Sequence, residues 1–471
     1  EWNIPGRSVG IVKDGKIVFE KGYGVLEVNK STRPDKHTLY AIASNTKAFT
    51  AAIIAQLVEE GKLNWDDKVQ QHLPYFEVYD PAISRLVTVK DLLSHNVGLG
   101  TFSGDAIWYK SNLTTEQIVR RIKFVPQAYE FRDGYGYSNL MFITAGDLIE
   151  KLTGKTFKQN VTERFLKPLE MTSTVVSVND FGSNKNVATP HGLREGKNYA
   201  IPHVAWDNVQ STGGLISSVH DMSKWMIFNM NHGVNARDTL FTKESRNMMW
   251  NLSNSFGVNQ VDRNPAGMHY SGYGLGWFIG DYHGHYRVRH GGGYDGMIST
   301  VQMLPDEQLG VVVLTNGVKA PTNAIAYYVF DRFLDRPIVD HGSKMLRNYD
   351  NWKKSDTRVA DKKALRVENT RPSLSIQEIT GVYYTPVYGN FEVKVENGQL
   401  KLYWEHSPLL TSTLSHFNYD SYMINWDEPQ VWFDFGTVQF EKDAYNQVTG
   451  ISFDVPNDDF FMEELNAKKI N

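Results

Sequence analysis

A serine and a lysine three residues apart, Ser44 and Lys47, stand at the start of a strongly apolar segment. The run from Ala48 to Val58 is apolar almost throughout, which predicts a buried helix that ends at Gly61. Helical geometry places the lysine amine beside the serine hydroxyl, close to the unpaired N–H groups of the first turn. An activated serine nucleophile requires this arrangement. For an isolated pair of this spacing, a serine N-cap with a solvated lysine is the better interpretation.

Two further polar motifs stand at the boundaries of other predicted elements. Tyr137-Ser-Asn139 ends a glycine-rich loop directly before a periodic helix, and His290-Gly-Gly292 ends a predicted strand. No other serine in the chain has a lysine three residues later, and no other histidine begins a His-x-Gly. Each motif alone is weak. Three motifs in this order, each at the edge of an element, favour one shared site.

Composition excludes several other classes of protein. The net charge of −4 shows no basic block, so neither nucleic acid nor an anionic membrane is expected as a partner. No apolar run approaches the roughly 20 residues that a membrane-spanning helix needs. The absence of cysteine removes thiolate metal sites and cysteine nucleophiles. His283 and His285 share a strand face but lack a third ligand, so we expect no metal and no cofactor.

The distribution of helix and strand signals predicts the fold class of the first part of the chain. A hairpin turns at Asp14-Gly15, and strand patterns return at 297–304 and 309–315. Helical patterns with long connections dominate the sequence between them. We therefore expect an α+β fold, in which one antiparallel sheet is built from both ends of the region and covered by helices, with a helical lobe inserted.

The remainder of the chain predicts a second domain. We expect a first domain over residues 1–336, a charge-rich linker over 337–373 and an all-β domain over 374–471. Alternating strands around Asn397-Gly398 favour a small antiparallel barrel, similar to that of lipocalins. Aromatic residues of this tail either form a ligand face or, as is more common, fill a small core: Tyr403, Trp404, Trp426, Trp432 and Phe433.

The three motifs together resemble those of the serine β-lactamase and penicillin-binding-protein superfamily. The similarity extends over roughly residues 5–335 and lies in the branch of class C β-lactamases, D-Ala-D-Ala carboxypeptidases, D-aminopeptidases and related esterases. It implies a β-lactamase/transpeptidase-like fold, and the tail resembles a small β-domain that some members append.

The resemblance also implies a role for each motif. Ser44 attacks a carbonyl and forms an acyl-enzyme. Lys47 and Tyr137 share the role of base, either because the ammonium favours an ionised phenol or because the phenol relays the proton. Asn139 binds the substrate amide, and the backbone N–H groups of Ser44 and Gly293 form an oxyanion hole.

The third motif, whose residues are expected to bind substrate, departs from the Lys-Thr-Gly pattern of β-lactamases. His290 replaces the lysine, so a positive charge there is expected to depend on pH; the alternative is a strand-end histidine whose hydrogen bonds are all internal. Gly291 replaces the hydroxyl residue that helps to hold a substrate carboxylate, and Gly292 keeps the glycine. Both changes favour an aminopeptidase, an amidase, an esterase or a broader peptidase over a dedicated β-lactamase or strict carboxypeptidase.

The expected function is a serine hydrolase that forms an acyl-enzyme with an amide, peptide or ester. The resemblance extends the candidate substrates to D-amino-acid peptides, peptidoglycan fragments and β-lactams, and the expected location to the periplasm or exterior of a bacterial cell. Within the family, the alternative is an esterase or a weak β-lactamase. From another class, the alternative is a non-catalytic protein that binds or senses a ligand.

Overall fold

The computed structural model describes residues 1–235, 237–259, 263 and 265–470. An eight-stranded antiparallel sheet lies at the centre of the first two thirds of the chain. The strands of this region are β1 (Gly6–Lys13), β2 (Lys16–Gly24), β3 (Tyr40–Ala41), β4 (His191–Arg194), β5 (Lys197–Ala200), β6 (Ile216–Ser217), β7 (Asn254–Phe256), β8 (Ser271–Tyr273), β9 (Phe278–Tyr282), β10 (His285–Tyr294), β11 (Met297–Leu304) and β12 (Leu309–Thr315).

The order of the strands is β2-β1-β12-β11-β10-β9-β8-β7, so β1 and β12, from the two ends of the region, lie side by side. Val9 of β1 lies opposite Val313 of β12. Every residue of β12 is buried, as expected for an apolar strand covered on both faces. The expected α+β class, with one antiparallel sheet built from both ends, is confirmed.

Helices lie on both faces of this sheet and form the inserted lobe. Val9 and Ile11 pack toward the Thr322–Phe333 helix, whereas Gly10 and Val12 face the opposite side, where the Val219–Met230 helix lies. The helices preceding β7 are Thr46–Glu59, Val69–His72, Pro81–Ser84, Val89–Ser94, Thr115–Val119, Asn139–Thr153, Phe157–Val161, Gln210–Gly213, Val219–Met230 and Lys243–Trp250. No helix in the described part of the chain is long and apolar enough to cross a membrane.

The Thr46–Glu59 helix is buried over most of its length. All residues from Thr46 to Leu57 are buried, and Phe49 stacks on Trp225 with ring centroids 3.8 Å apart. A 3₁₀ turn, Ala43–Asn45, leads into the helix, and Gly61 follows its end with a φ of +69°. The apolar run thus predicted a core helix, which begins two residues before the run itself.

The tail forms a closed eight-stranded barrel, which confirms the second part of the fold class. Its strands are β13 (Gly381–Thr385), β14 (Gly389–Glu396), β15 (Gln399–Trp404), β16 (Ser412–Asn418), β17 (Ser421–Trp426), β18 (Thr437–Lys442), β19 (Val448–Asp454) and β20 (Ala467–Lys469). Each strand pairs with its sequence neighbour, and β13 pairs with β20 to close the barrel. The segment between sheet and barrel contains the helices His341–Ser355, Arg358–Ala364 and Ile376–Ile379.

The barrel packs directly against the helical lobe at residues 103–113. The Glu464 carboxylate accepts hydrogen bonds from the Gly104 N–H, at 2.7 Å, and from the Ser103 hydroxyl. Tyr109 contacts Phe460, with ring centroids 4.2 Å apart, and its carbonyl accepts a hydrogen bond from Ser407. Buried apolar residues of the first domain and of the barrel form one continuous cluster. The barrel therefore contributes to the packing of the lobe.

Candidate active site

The first and second motifs meet at the N-terminus of the central helix. Lys47 Nζ lies 3.0 Å from Ser44 Oγ. Ala43, directly before the serine, has a φ of +46°, an uncommon backbone conformation for a residue with a side chain. Neither the turn nor the helix has a side-chain cap, and the N-cap position is held by Asn45. Ser44 is therefore not a capping serine, and its hydroxyl faces the lysine amine.

Lys47 is fully buried and lies among oxygen atoms. Its Nζ donates to Asn139 Oδ1 at 2.7 Å and to the Thr212 carbonyl at 2.9 Å, in addition to Ser44 Oγ. Burial holds the pKa of this amine well below its usual value, and the negative charge of Asp105 only partly opposes that shift. A lysine with a lowered pKa loses its proton more readily, as a group that accepts a proton from Ser44 must.

Tyr137 lies on the other side of the same pair. The centroid of its ring is 4.9 Å from Lys47 Nζ, and the phenol is hydrogen-bonded to Ser44. Burial raises the pKa of Tyr137 well above its usual value, which the hydrogen bond to Ser44 opposes only in part. The phenol is therefore protonated. Of the two alternatives for the base, this geometry supports the one in which Tyr137 relays a proton.

Asn139 connects the lysine to a buried carboxyl group. Its Oδ1 accepts hydrogen bonds from Lys47 and from Thr212 Oγ1, at 2.9 Å, and its Nδ2 donates to Asp105 Oδ2 at 2.6 Å. Ser138 holds the N-cap of the Asn139–Thr153 helix, so Asn139 does not cap it. The amide thus orients Lys47, and its expected hydrogen bond to a substrate amide stays a prediction.

Asp105 is a part of the site that sequence reasoning did not single out. Its Oδ1 accepts a hydrogen bond from Trp108 Nε1 at 2.8 Å, and burial raises its pKa to about 8 despite this donor and that of Asn139. The residue stands in a 3₁₀ turn within one of the long connections of the lobe. Only the fold brings it to Asn139, and no local pattern marks it. Thr212 was missed as a partner of Lys47, although its glycine turn is visible in the sequence.

The third motif passes directly behind the turn that carries the serine. A Cβ placed on Gly292 would lie 2.2 Å from the Ile42 carbonyl oxygen and 3.1 Å from Ala43 Cβ, so only glycine allows this approach. β9 pairs with β10 only up to Arg289. In the described chain, the edge of β10 on that side is therefore free of strand pairing from His290 onward, next to Ser44.

The expectation of a pH-dependent positive charge at His290 was wrong. The ring is 1% exposed, and burial together with the charge of Lys47 lowers its pKa to about 3. His290 Nδ1 lies 2.6 Å from the Gly291 carbonyl, and Nε2 lies 2.8 Å from the Tyr273 hydroxyl. The neutral tautomer that donates from Nδ1 satisfies both contacts. The structure thus favours the alternative of an internally bonded histidine, and direct contact with substrate stays a prediction.

The two histidines weighed as metal ligands have other surroundings. His285 Nδ1 lies 2.8 Å from Glu307, and His283 packs edge-on against Tyr282. In the part of the chain that the structure describes, no group of three or more His, Cys, Asp or Glu residues is arranged to hold a metal ion.

Comparison with known families agrees with this architecture. Residues 1–332 match the family model described as Beta-lactamase, and the chain belongs to that family. Residues 365–469 match a second model, described as a domain of unknown function (DUF3471). The resemblance drawn from the three motifs is thereby confirmed at the level of the superfamily.

Two individual relatives share 30% or less of their aligned residues with this chain. Protein flp of Staphylococcus aureus (strain MW2) is 30% identical over 322 residues, which cover 67% of this chain and 60% of that protein. This chain therefore spans about 60% of the length of that relative. Unguisins hydrolase ungD' of Aspergillus campestris is 29% identical over 431 residues, covering 85% of this chain and 77% of that protein.

A solved structure shares the fold over the whole length of the chain. The octameric penicillin-binding protein homologue from Pyrococcus abyssi has a TM-score of 0.64, with 99% of this chain and 96% of that chain covered. At 22% identity the likeness establishes the common fold alone. It includes both the sheet with its helical lobe and the barrel that follows.

Proposed function

We propose that this chain is a serine hydrolase that cleaves amide, peptide or ester bonds through an acyl-enzyme. The contact of 3.0 Å between Lys47 Nζ and Ser44 Oγ carries the proposal, because it places a buried amine within hydrogen-bond reach of a hydroxyl. Membership of the beta-lactamase family and similarity to a protein named as a hydrolase support the same class.

Acylation begins with Lys47 as a neutral amine. Ser44 Oγ attacks the substrate carbonyl carbon while its proton passes to Lys47 Nζ, directly or by way of the Tyr137 hydroxyl. The carbonyl oxygen becomes negative and accepts hydrogen bonds from the backbone N–H groups of Ser44 and Gly293. When the tetrahedral intermediate collapses, the bond to the leaving group breaks, and the leaving atom takes the proton back from Lys47 by the same route.

Deacylation repeats these steps with water as nucleophile. The Lys47–Tyr137 pair removes a proton from water, the hydroxide adds to the acyl carbon, and Ser44 departs with the returned proton. The acid is released and the enzyme is restored. Asn139 and Asp105 hold the Lys47 amine in place throughout, because the hydrogen bonds from Lys47 to Asn139 and from Asn139 to Asp105 do not depend on substrate.

The third motif bears on the substrate class. A neutral His290 and the absence of a hydroxyl at Gly291 remove two groups that the family resemblance assigns to binding a substrate carboxylate. We therefore propose amides, peptides and esters whose recognition does not depend on a terminal carboxylate, D-amino-acid peptides and cell-wall fragments among them. Weak hydrolysis of β-lactams is the second candidate, because the acylating apparatus is shared.

Covalent labelling and a small substrate panel test the proposal together. Wild type and Ser44→Ala are treated with a fluorophosphonate probe and with fluorescent penicillin, followed by mass determination of the adduct. The panel comprises nitrocefin, a D-aminoacyl anilide, a D-Ala-D-Ala peptide and p-nitrophenyl esters. We expect one adduct per chain in the wild type, none in Ser44→Ala, and the highest rate on an anilide or ester.

A matched control and a contrary result make the test decisive. Ser31→Ala, at an exposed serine, should label and turn over as the wild type does. Absence of labelling together with absence of hydrolysis across the panel would instead support the non-catalytic, ligand-binding alternative. A rate on nitrocefin far above every ester and amide would make the chain a β-lactamase in the narrow sense.

A further inference from the structure

One aromatic side chain of the barrel contacts β10, the strand that carries the third motif. Trp432 lies between β17 and β18, and its Cη2 atom would be 3.2 Å from a Cβ placed on Gly293. The tail aromatics thus divide into two kinds. Trp404 is buried inside the barrel, whereas Trp432 is only partly buried and extends to the sheet of the other domain.

The direction of the glycines on β10 shows which side of the site Trp432 occupies. Side chains alternate along a strand, so His290 and Gly292 share one face and Gly291 and Gly293 the other. The first face is toward Tyr273 and the Ala43 turn. On the second face, the nearest atom to a Cβ on Gly291 is 3.7 Å away, while Gly293 is covered by the indole. The second face is therefore open at Gly291 and closed by the Trp432 indole at Gly293.

The position of the proton donors assigns the two ends of a bound substrate. The leaving atom must receive its proton from the Tyr137–Lys47 side, so the leaving group lies toward these residues. The Tyr137 ring lies beside His290, with ring centroids 6.2 Å apart, so the leaving group lies at the His290 end of this strand and the acyl substituent at its Gly293 end. Its neighbour there is Trp432.

We propose that Trp432 of the barrel is the residue that limits the size of the acyl group. The inference rests on the proposed function and specifies its substrates: acyl groups that are narrow at the carbon next to the carbonyl, with branched or bulky groups excluded by the indole. The barrel is in this view one wall of the acyl site. The same chain therefore carries the nucleophile in one domain and a specificity residue in the other.

The indole is held by contacts on both sides of its loop. Gln430 accepts a hydrogen bond from Lys110, and Asp434 pairs with Arg194 at 3.0 Å. Phe433 packs against Tyr109 with ring centroids 6.2 Å apart. Since residues before and after Trp432 are tied to the catalytic domain, the wall keeps its place relative to Gly293.

The test measures selectivity among acyl groups with one leaving group. The kcat/KM values of wild type, Trp432→Ala and Trp432→Phe are compared on p-nitrophenyl acetate, butyrate, pivalate and phenylacetate. For Trp432→Ala we expect the ratio of pivalate to acetate to rise about tenfold or more, in line with the selectivity that apolar pockets achieve. Trp432→Phe should give an intermediate ratio.

Controls separate this inference from the proposed function and from misfolding. Trp352→Ala removes a half-exposed tryptophan on the His341–Ser355 helix and should leave the ratio unchanged. Labelling of Ser44 by fluorophosphonate counts the folded active sites of each variant. An unchanged pivalate-to-acetate ratio in a fully labelled Trp432→Ala protein overturns the inference and leaves the hydrolase intact. Absence of labelling in the wild type overturns the proposed function itself.

Discussion

The two walls that face Ser44 are built in opposite ways. On the lysine side, Lys47 and Asn139 are buried, and their polar atoms are bonded to one another. On the strand side, Gly291 presents backbone and open space, and Gly293 presents backbone beside the Trp432 indole. The first wall fixes one geometry, as proton transfer requires, whereas the second can accept different side groups. The comparison indicates that chemistry and selectivity can be altered separately in this molecule.

The largest effect is expected on the lysine wall. Lys47→Met keeps the length and apolar stem of the side chain but removes the amine, which is the base in the proposed mechanism. We expect kcat/KM on the best ester of the panel to fall by roughly 10³-fold, within the usual range for removing a general base. Steady-state kinetics measures this, with Lys16→Met at an exposed lysine as the control. A loss below about tenfold would transfer the base role to another group.

A part of this wall could be predicted from the sequence, because its signals are local. Ser44 and Lys47 are one helical turn apart, and the Ala48–Val58 run marks the helix that carries them. The hairpins at Asp14-Gly15 and Asn397-Gly398 are likewise set by residues adjacent in the chain. Each of these features needs no knowledge of distant contacts.

The rest depends on which distant segments the fold brings together. Asp105 is 34 residues from Asn139, and nothing in its own segment announces that contact. The pKa of His290 depends on burial by the surrounding fold and on the nearby Lys47, which the motif itself does not contain. The approach of Trp432 to Gly293 joins two domains. The sequence thus identifies the candidate reacting residues. The residues that position them, change their pKa values or border the substrate depend on the fold.

A smaller effect on the lysine wall shows whether Asp105 acts on Lys47 through its charge or only through its hydrogen bonds. In the folded enzyme the negative charge of Asp105 raises the pKa of Lys47 against the stronger effect of burial. Burial raises the pKa of Asp105 to about 8, so its carboxylate carries this charge only above about that pH. Asp105→Asn removes this charge, so above about pH 8, where Asp105 is ionised, the pKa of Lys47 should fall further and that part of the acid limb of kcat/KM should move to lower pH.

The pH profile is the measurement that a purely structural role would not reproduce. Since Lys47 acts without its proton, activity rises with pH as the amine deprotonates, and a lower pKa moves that rise to more acidic conditions. We expect the maximal kcat/KM to fall by about tenfold as well, because Asn139 loses a carboxylate acceptor. Asp66→Asn, at an exposed carboxylate, serves as the control. A limb that stays in place or moves to higher pH contradicts the electrostatic role.

A change in selectivity, and the sharpest test of the comparison, is expected at the open end of the strand. At Gly291 a Cβ has no neighbour closer than 3.7 Å, and the backbone does not need glycine there, so serine should fit without strain. Its hydroxyl would face the cleft and could donate to a carboxylate, an interaction of about 1.5–3 kcal/mol. For Gly291→Ser we expect kcat/KM on a D-Ala-D-Ala peptide, relative to the same peptide with an amidated C-terminus, to rise about tenfold. Gly257→Ser, at a glycine with equal space but away from the motifs, should leave that ratio unchanged. If Gly291→Ser lowered both rates equally, the strand would be as tightly specified as the lysine wall, and the separation of chemistry from selectivity would not hold.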